Sequence, residues 1–283
     1  MFAQTPAQRN HGPDRARSAA TENFPVASRV LAPRARGPVM AFYLFARTAD
    51  DVADDLRLDM AHKLARLAEF EAGLDGHSGA PEALALHGVL GENPESLAHA
   101  RSLLTAFRMD ASGCTYATWD DLRAYCTQSA NPVGRFLLDV HGEAAQAGDL
   151  SDPLCTALQV LNHLQDLGED RDRLGRIYLP GDWLAAEGVV PDDLSRDALT
   201  PGLRRVIDRT LDVCDDLLVQ AGPLPLAIVD LGLRTQARAT LWLAGSLSRA
   251  LRRRDPLARR VAASRWQVAG AVAGAALWRA AGR

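Results

Sequence analysis

From Phe24 onward, apolar residues return every three or four positions, and clear strand alternation is absent. That regularity restricts the chain to packed helices. Hairpin signals are nearly missing too, and the one Asp-Gly pair, Asp75-Gly76, lies between two helical stretches. Proline and glycine cut the pattern into segments. PRARGPVMAFYLFARTADDVADDL reads as one long helix started near Pro38. MAHKLARLAEFEAGL follows and stops at the glycines of DGHSGAP. PESLAHARSLLTAFRMD is the next, and TWDDLRAYC has Thr118 as its N-cap with acids in the first turn. NPVGRFLLDVHG precedes SDPLCTALQVLNHLQDLGEDRDR, which is expected to be capped by Ser151 or Asp152, with Pro153 in its first turn. Beyond GRIYLPGDWLAAEG, three helices are expected from Leu203, Pro225 and Pro256. No long linker and no repeat of roughly 20–50 residues divides the series. The expectation is an all-α, single-domain chain: a loosely held polar tail over residues 1–20, then one helical domain over 21–283.

Composition narrows the function classes. A chain of 283 residues with 47% hydrophobic residues can bury a real core. Its net charge of -3 gives no general nucleic-acid signature, so no nucleic-acid partner is expected. Cys114, Cys126, Cys155 and Cys214 form no CxxC pair and no His–Cys zinc spacing, which suits reduced, mostly buried thiols of a cytoplasmic protein. The first residues carry no apolar core of a signal peptide. The uncharged run from Trp266 to Trp278 is about half of the roughly 20 residues that span a bilayer. The protein is therefore expected in the cytoplasm, at most peripheral on the inner face of the membrane.

Two acidic stretches stand out, TADDVADD from Thr48 to Asp55 and LNHLQDLGED from Leu161 to Asp170. Asp50 and Asp54 are four apart, as are Asp51 and Asp55, and Asp166 and Asp170. Residues at that spacing share a helix face, where like charges cost roughly a few tenths of a kcal/mol. They also fall late in their helices, where the dipole is negative. Something positive must offset both effects. One reading is a solvated acidic face with Arg47, Arg57, Arg171 and Arg173 as counter-charges. The other is a pair of faces that oppose each other across a cavity and hold Mg²⁺, which takes hard oxygen ligands and shares them with phosphate oxygens. Gln159, Asn162, Asp166 and Asp170 step by three, four and four, so one stripe begins with amides in an apolar stretch. Buried amides need partners. Phe42, Tyr43 and Phe45 lie one to two turns before Asp50, and either pack in the core or line an apolar cavity beneath a polar mouth.

FYLFARTADDVADD, followed by LQVLNHLQDLGEDRDRLGRIYLP, resembles the paired aspartate-rich motifs of the squalene/phytoene synthase family, the trans-isoprenyl diphosphate head-to-head synthases. ENFPVAS, AFRMD with YATWDDLRAYC, and SANPVGR are similar to its hydroxysqualene synthase branch, associated with bacterial hopanoid pathways. The general family has VAGxVG after a Tyr-Cys pair. Here Tyr125-Cys126 is followed by TQSANPVGR, a departure from squalene and phytoene synthesis that matches the hydroxysqualene branch.

The resemblance implies a prenyl-synthase bundle around a central cavity, with Mg²⁺ as cofactor. Asp50 and Asp54 match the first metal-binding motif; Asp166 and Asp170 match the second, with Glu169 beside them. Arg47 matches an arginine that helps hold diphosphate, and Arg176 and Tyr178 match positions near it. Gln159 and Asn162 match amides facing the reaction centre, and Tyr125 matches a tyrosine at the cavity wall. Asn131 and Arg135 carry branch resemblance and are expected beside the substrate. The implied reaction ionises presqualene diphosphate, rearranges the cation and quenches it with water. Condensation of two prenyl diphosphates is the alternative within the class, and a prenyl-binding assembly subunit the alternative outside it. No GxGxxG opens a βαβ unit, which weighs only lightly against a nicotinamide cofactor, because reductive members lack that motif too.

From Arg249 to Arg283 there are nine arginines and one acid, Asp255. They either snorkel over the core or meet an anionic membrane, where a C30 product would go. VAGAVAGAA has GxxxG form in a run too short to argue for association. The expected partners are the prenyl diphosphate substrate, the membrane surface and neighbouring pathway enzymes.

Overall fold

Most helices open where the sequence supplies a proline in the first turn or a side chain that can cap the first free N–H groups. The structure is a computed structural model that describes residues 31–91 and 93–261. Helix α1 spans Pro33–Ala53, α2 Met60–Leu74, α3 Pro81–Leu90, α4 Pro94–Ala111 and α5 Trp119–Ser129. Then come α6 Asn131–His141, α7 Ala144–Gln165, the short α8 Leu167–Glu169 and a single π-turn, Asp170–Leu174. The series closes with α9 Gly181–Ala186, α10 Pro191–Leu194, α11 Pro201–Gln220, α12 Leu224–Ala227 and α13 Leu231–Arg253. There is no strand among the described residues. The Asp59, Asn93, Thr200 and Asp230 side chains accept from the first turns of α2, α4, α11 and α13. Thr118 forms the expected cap of α5, in a reciprocal box with Asp121.

Several boundaries differ from the sequence reading. α1 begins at Pro33, and Pro38 sits inside it. α7 begins at Ala144, so Ser151 and Asp152 are not its caps and Pro153 lies in its interior. The turn before it is fixed elsewhere: Gly142 takes a left-handed φ of 77°, and the Glu143 carboxylate accepts the Val229 and Asp230 N–H groups at 2.9 and 2.7 Å. The long helix expected from Pro225 begins at Leu231, after the single turn of α12. Residues 256–258 form a turn, so no helix opens at Pro256. The expected tail over 1–20, ENFPVAS and the VAGAVAGAA run lie outside the described residues.

Helix α7 runs through the middle, packed on α5, α6, α11 and α13. One core cluster joins α1, α2, α3, α4 and α6 around Phe45, Phe70, Leu103 and Phe136. The other joins α5, α7 and α11 around Leu122, Leu161, Leu164 and Leu203. Each such leucine, fully buried, contributes roughly 1.5–3 kcal/mol. The α6–α7 contact depends on Gly134: a Cβ there would lie 2.2 Å from Ser151 Oγ and 2.5 Å from Cys155 Sγ. The four cysteines are free; Cys126 and Cys214 are buried and Cys114 is exposed. No helix among the described residues is long and apolar enough to cross a membrane.

Between α1, α6, α7, α12 and α13 lies a cavity of about 310 Å³. Its wall is almost wholly apolar, with Phe42, Phe136, Leu154, Leu158, Ile228 and Leu233 among its residues. On α1 the lining ends at Ala46 and on α7 at Leu158. The acidic stretches begin just beyond those points on both helices.

Candidate active site

The last turn of α1 ends at Ala53, with Asp54 as its C-cap. Four carbonyls are left without helical partners there, and the dipole repels acids. Two arginines following the second acidic stretch reach back to this end. Arg176 donates to Asp54 Oδ1 at 2.6 Å and to the Ala53 carbonyl at 3.2 Å. Arg173 donates to Asp54 Oδ2 at 3.2 Å. Arg47 donates to Asp50 at 3.2 Å and pairs with Asp51. The segment that follows the second acidic stretch thus packs against the end of the first.

Asp50 remains under electrostatic stress despite Arg47. Burial, then repulsion from Asp54, pushes its pKa up to about 7. Its side chain keeps 38% of its surface open, so solvent offsets part of that penalty. A cation beside Asp50 would hold it ionised, and hard carboxylate oxygens are the donors Mg²⁺ takes. The residues present therefore fit that ion. Among the described residues, however, no three His, Cys, Asp or Glu side chains stand together in a ready-made metal cage. Arginines neutralise the carboxylates instead.

The second stretch is built differently. α7 stops at Gln165, and Asp166 takes φ -103°, ψ 11° before α8. Arg260, which lies 94 residues further on, pairs with Asp166, its Nη2 at 3.3 Å from Oδ2. Asp170 opens the π-turn, and its carboxylate is 3.8 Å from His163 Nδ1. Glu169 is exposed.

A buried carboxylate lies between these groups. Asp110, at the end of α4, accepts the hydroxyls of Tyr125 and Tyr178, each at 2.8 Å. Burial raises the Asp110 pKa, while Arg176 and the two hydroxyls pull it down. Burial, and then Asp110, raises both tyrosines, which stay hydrogen-bond donors. The Tyr116, Tyr125 and Tyr178 rings pack together, and His163 stacks on Tyr178 at 3.6 Å with the planes 9° apart.

Residues 18–267 match the model of the squalene/phytoene synthase family. The chain belongs to that family. A hydroxysqualene synthase of Rhodopseudomonas palustris is 44% identical over 85% of this chain and 82% of its own length. Another, of Sinorhizobium fredii, is 40% identical over 93% and 91%. Among solved structures, a squalene synthase from Alicyclobacillus acidocaldarius superposes with a TM-score of 0.70 at 32% identity, covering 80% of this chain and 86% of that one.

Of the residues singled out in this squalene/phytoene synthase sequence, Arg47, Asp50, Asp54 and Arg176 form one polar network. Tyr125 and Tyr178 meet on Asp110. Gln159 reaches His163, which faces Asp170. Asn162 is half-buried on α7, one turn before Asp166, whose N–H its carbonyl accepts. Asn131 and Arg135 are engaged elsewhere: buried Asn131 accepts from Thr156 at 2.9 Å. Arg135 holds Asp152 with two bonds of 2.8 Å and Asp149 with one of 3.1 Å, clamping α6 to α7. Sequence reasoning passed over Asp110, His163 and Arg260. Asp110 carried a usable signal, because it continues the buried stripe Leu103, Ala106, Phe107 of α4. An acid on such a stripe demands partners.

Proposed function

We propose that this chain converts presqualene diphosphate to hydroxysqualene and diphosphate, in hopanoid biosynthesis. The observation that carries the reading is the pairing of an apolar cavity with charged ends on both flanking helices, in a chain 40–44% identical to named hydroxysqualene synthases. A C30 hydrocarbon fits such walls, and a diphosphate fits the mouth.

In this reading Arg47, Arg173 and Arg176 turn from the carboxylates to the phosphate oxygens, with charge-assisted bonds that strengthen as the diphosphate leaves. Asp50, Asp54, Asp166 and Asp170, with Glu169 adjacent, would hold Mg²⁺, which when bound would supply Lewis-acid neutralisation of the leaving group. Asp110 holds the Tyr125 and Tyr178 hydroxyls, so their rings stay fixed against the cation. Phe42 and Phe136 stack at 3.9 Å in the cavity wall and offer it a further π face, each such contact contributing about 0.5–2 kcal/mol. The apolar wall keeps stray water from an early capture. Asn131 and Arg135 act from outside this cluster by fixing α6 on α7.

The C30 product belongs in a membrane, and the Arg-rich stretch is its proposed contact. Arg252 is already paired with Asp212 and Asp215, and Arg260 with Asp166, which leaves exposed Arg253, Arg254 and Arg259 for lipid headgroups.

The test is a product assay with purified protein and Mg²⁺. Presqualene diphosphate and farnesyl diphosphate are supplied separately, each with and without NADPH. Hydroxysqualene formed from presqualene diphosphate, indifferent to NADPH, is the expected result. Consumption of farnesyl diphosphate, or squalene formed only with NADPH, would move the chain to another branch.

A further inference from the structure

We infer that Gln236, with Thr240 one turn further along α13, holds in the cavity the water that quenches the cation; this rests on the function proposed above. Leu233, Gln236, Ala237 and Thr240 all line the cavity, so one face of α13 forms part of its wall. Leu233 and Ala237 are buried and apolar, like Phe42, Phe136, Leu154 and Ile228 elsewhere in the wall. Gln236 and Thr240 are half-buried, and they add an amide and a hydroxyl to it.

The Gln236 oxygen does no work in holding the fold together. Gln236 Oε1 is buried and has no hydrogen-bond partner among the described residues. Other polar groups nearby are engaged. In the same wall, Ser151 Oγ and Cys155 Sγ lie 3.7 Å apart and serve each other. On α13 itself, the Thr235 and Ser246 hydroxyls donate to carbonyls one turn earlier. A buried acceptor without such a partner costs stability and calls for a use. Water supplies one. A cavity of about 310 Å³ admits water, but in so apolar a space a water stays only where polar groups hold it. Gln236 and Thr240, four residues apart on one helix face, supply two such groups.

The chemistry works with either end of the amide. Its oxygen accepts one O–H of the water and leaves the water's lone pairs open to the cation. Its NH₂ group donates into one lone pair and leaves the other open. In the quench, the water oxygen forms the C–O bond to the cationic carbon. One O–H bond then breaks, its electron pair stays on oxygen, and the proton passes to the diphosphate released in the same reaction. Gln236 takes no proton; it sets where the nucleophilic oxygen stands. The surrounding apolar side chains keep other water away, so this polar step decides which carbon is attacked.

Gln236→Met removes the amide and keeps an unbranched side chain of similar length. The purified variant, given presqualene diphosphate and Mg²⁺, should still release diphosphate. The share of product that is hydroxysqualene should fall by about fivefold, the factor one hydrogen bond commands, with hydrocarbons or isomeric alcohols in its place. Thr240→Val, which removes the hydroxyl and keeps the shape, should lower the share by about twofold, the weaker end of that range. Should Gln236→Met fail to fold, Thr240→Val carries the test alone. A share unchanged in Gln236→Met, even at a lower rate, means that the side chain only shapes the wall; it overturns the inference and leaves the proposed function standing. If the unmodified protein forms no hydroxysqualene, both fall.

Discussion

The two acidic stretches share a DxxxD spacing and little else. Asp50 and Asp54 close an unbroken α1, so the spacing gives one ledge, and the repulsion it creates is met by Arg47, Arg173 and Arg176. Asp166 and Asp170 straddle the point where α7 gives way to α8 and a π-turn. Arg260, far along the chain, pairs with Asp166, and His163 lies 3.8 Å from Asp170. A spacing fixes geometry only where the helix continues. At the second stretch, the backbone change aims the arginines of the π-turn and its exit at the first stretch, and so joins the two.

The largest test of this contrast replaces one carboxylate on each side. Asp50→Asn and Asp166→Asn should each lower kcat by about 10²–10³-fold, the scale on which a lost electrostatic stabiliser acts, with unchanged far-UV circular dichroism. Equal losses mean that both stretches serve one site; activity retained in either removes that stretch from it. Next is the pair of bridging arginines. The Arg176 side chain is 9% exposed, and its removal takes the shorter of two arginine bonds from Asp54 and a nearby positive charge from buried Asp110. Arg176→Ala should cost roughly 3 kcal/mol in urea unfolding, as for a broken buried pair. Arg260 is 41% exposed, and Arg260→Ala should change stability by less than about 1 kcal/mol. Comparable costs would show that the two ends are equally built in.

Tyr125→Phe and Tyr178→Phe each remove one donor to Asp110, and each should cost about 1 kcal/mol; the double variant should exceed the sum, because Asp110 is then left buried with neither hydroxyl. A further effect is in pH. Asp50 binds its proton more tightly folded, at about 7, than at its ordinary 3.8. Between those values the native state holds the extra proton, so this group's contribution to stability declines as pH rises across the window and stays low above it. Metal-free Asp50→Asn should lose that component of the slope in thermal melts between pH 4 and 8. A slope identical to that of the parent protein would put Asp50 in bulk solvent.

Much of the fold was legible because helix signals are local. The 3.6-residue period, Thr118 and the glycine breaks can be read in place. Pro38 and Pro153 misled because a proline costs a helix one hydrogen bond, and tertiary packing on both sides outweighs that loss here. The start of α7 was hidden because Glu143 is fixed by the Val229 and Asp230 N–H groups, a contact between distant parts of the sequence. The site was half legible. Its acids announced themselves by unfavourable local charge, which only a third party could offset. Arg260 gave no signal, since nothing around it marks Asp166 as its partner. Asn131 and Arg135 were visible as a motif, but their immediate partners are the residues that join α6 to α7.

The central claim is that both acidic stretches form one site for metal and diphosphate. Calorimetric titration of inorganic diphosphate into the protein, with and without Mg²⁺, tests it most directly. The account predicts binding that depends on Mg²⁺ and is lost in Asp50→Asn and in Asp166→Asn alike. Binding indifferent to Mg²⁺, or intact in either variant, would contradict it.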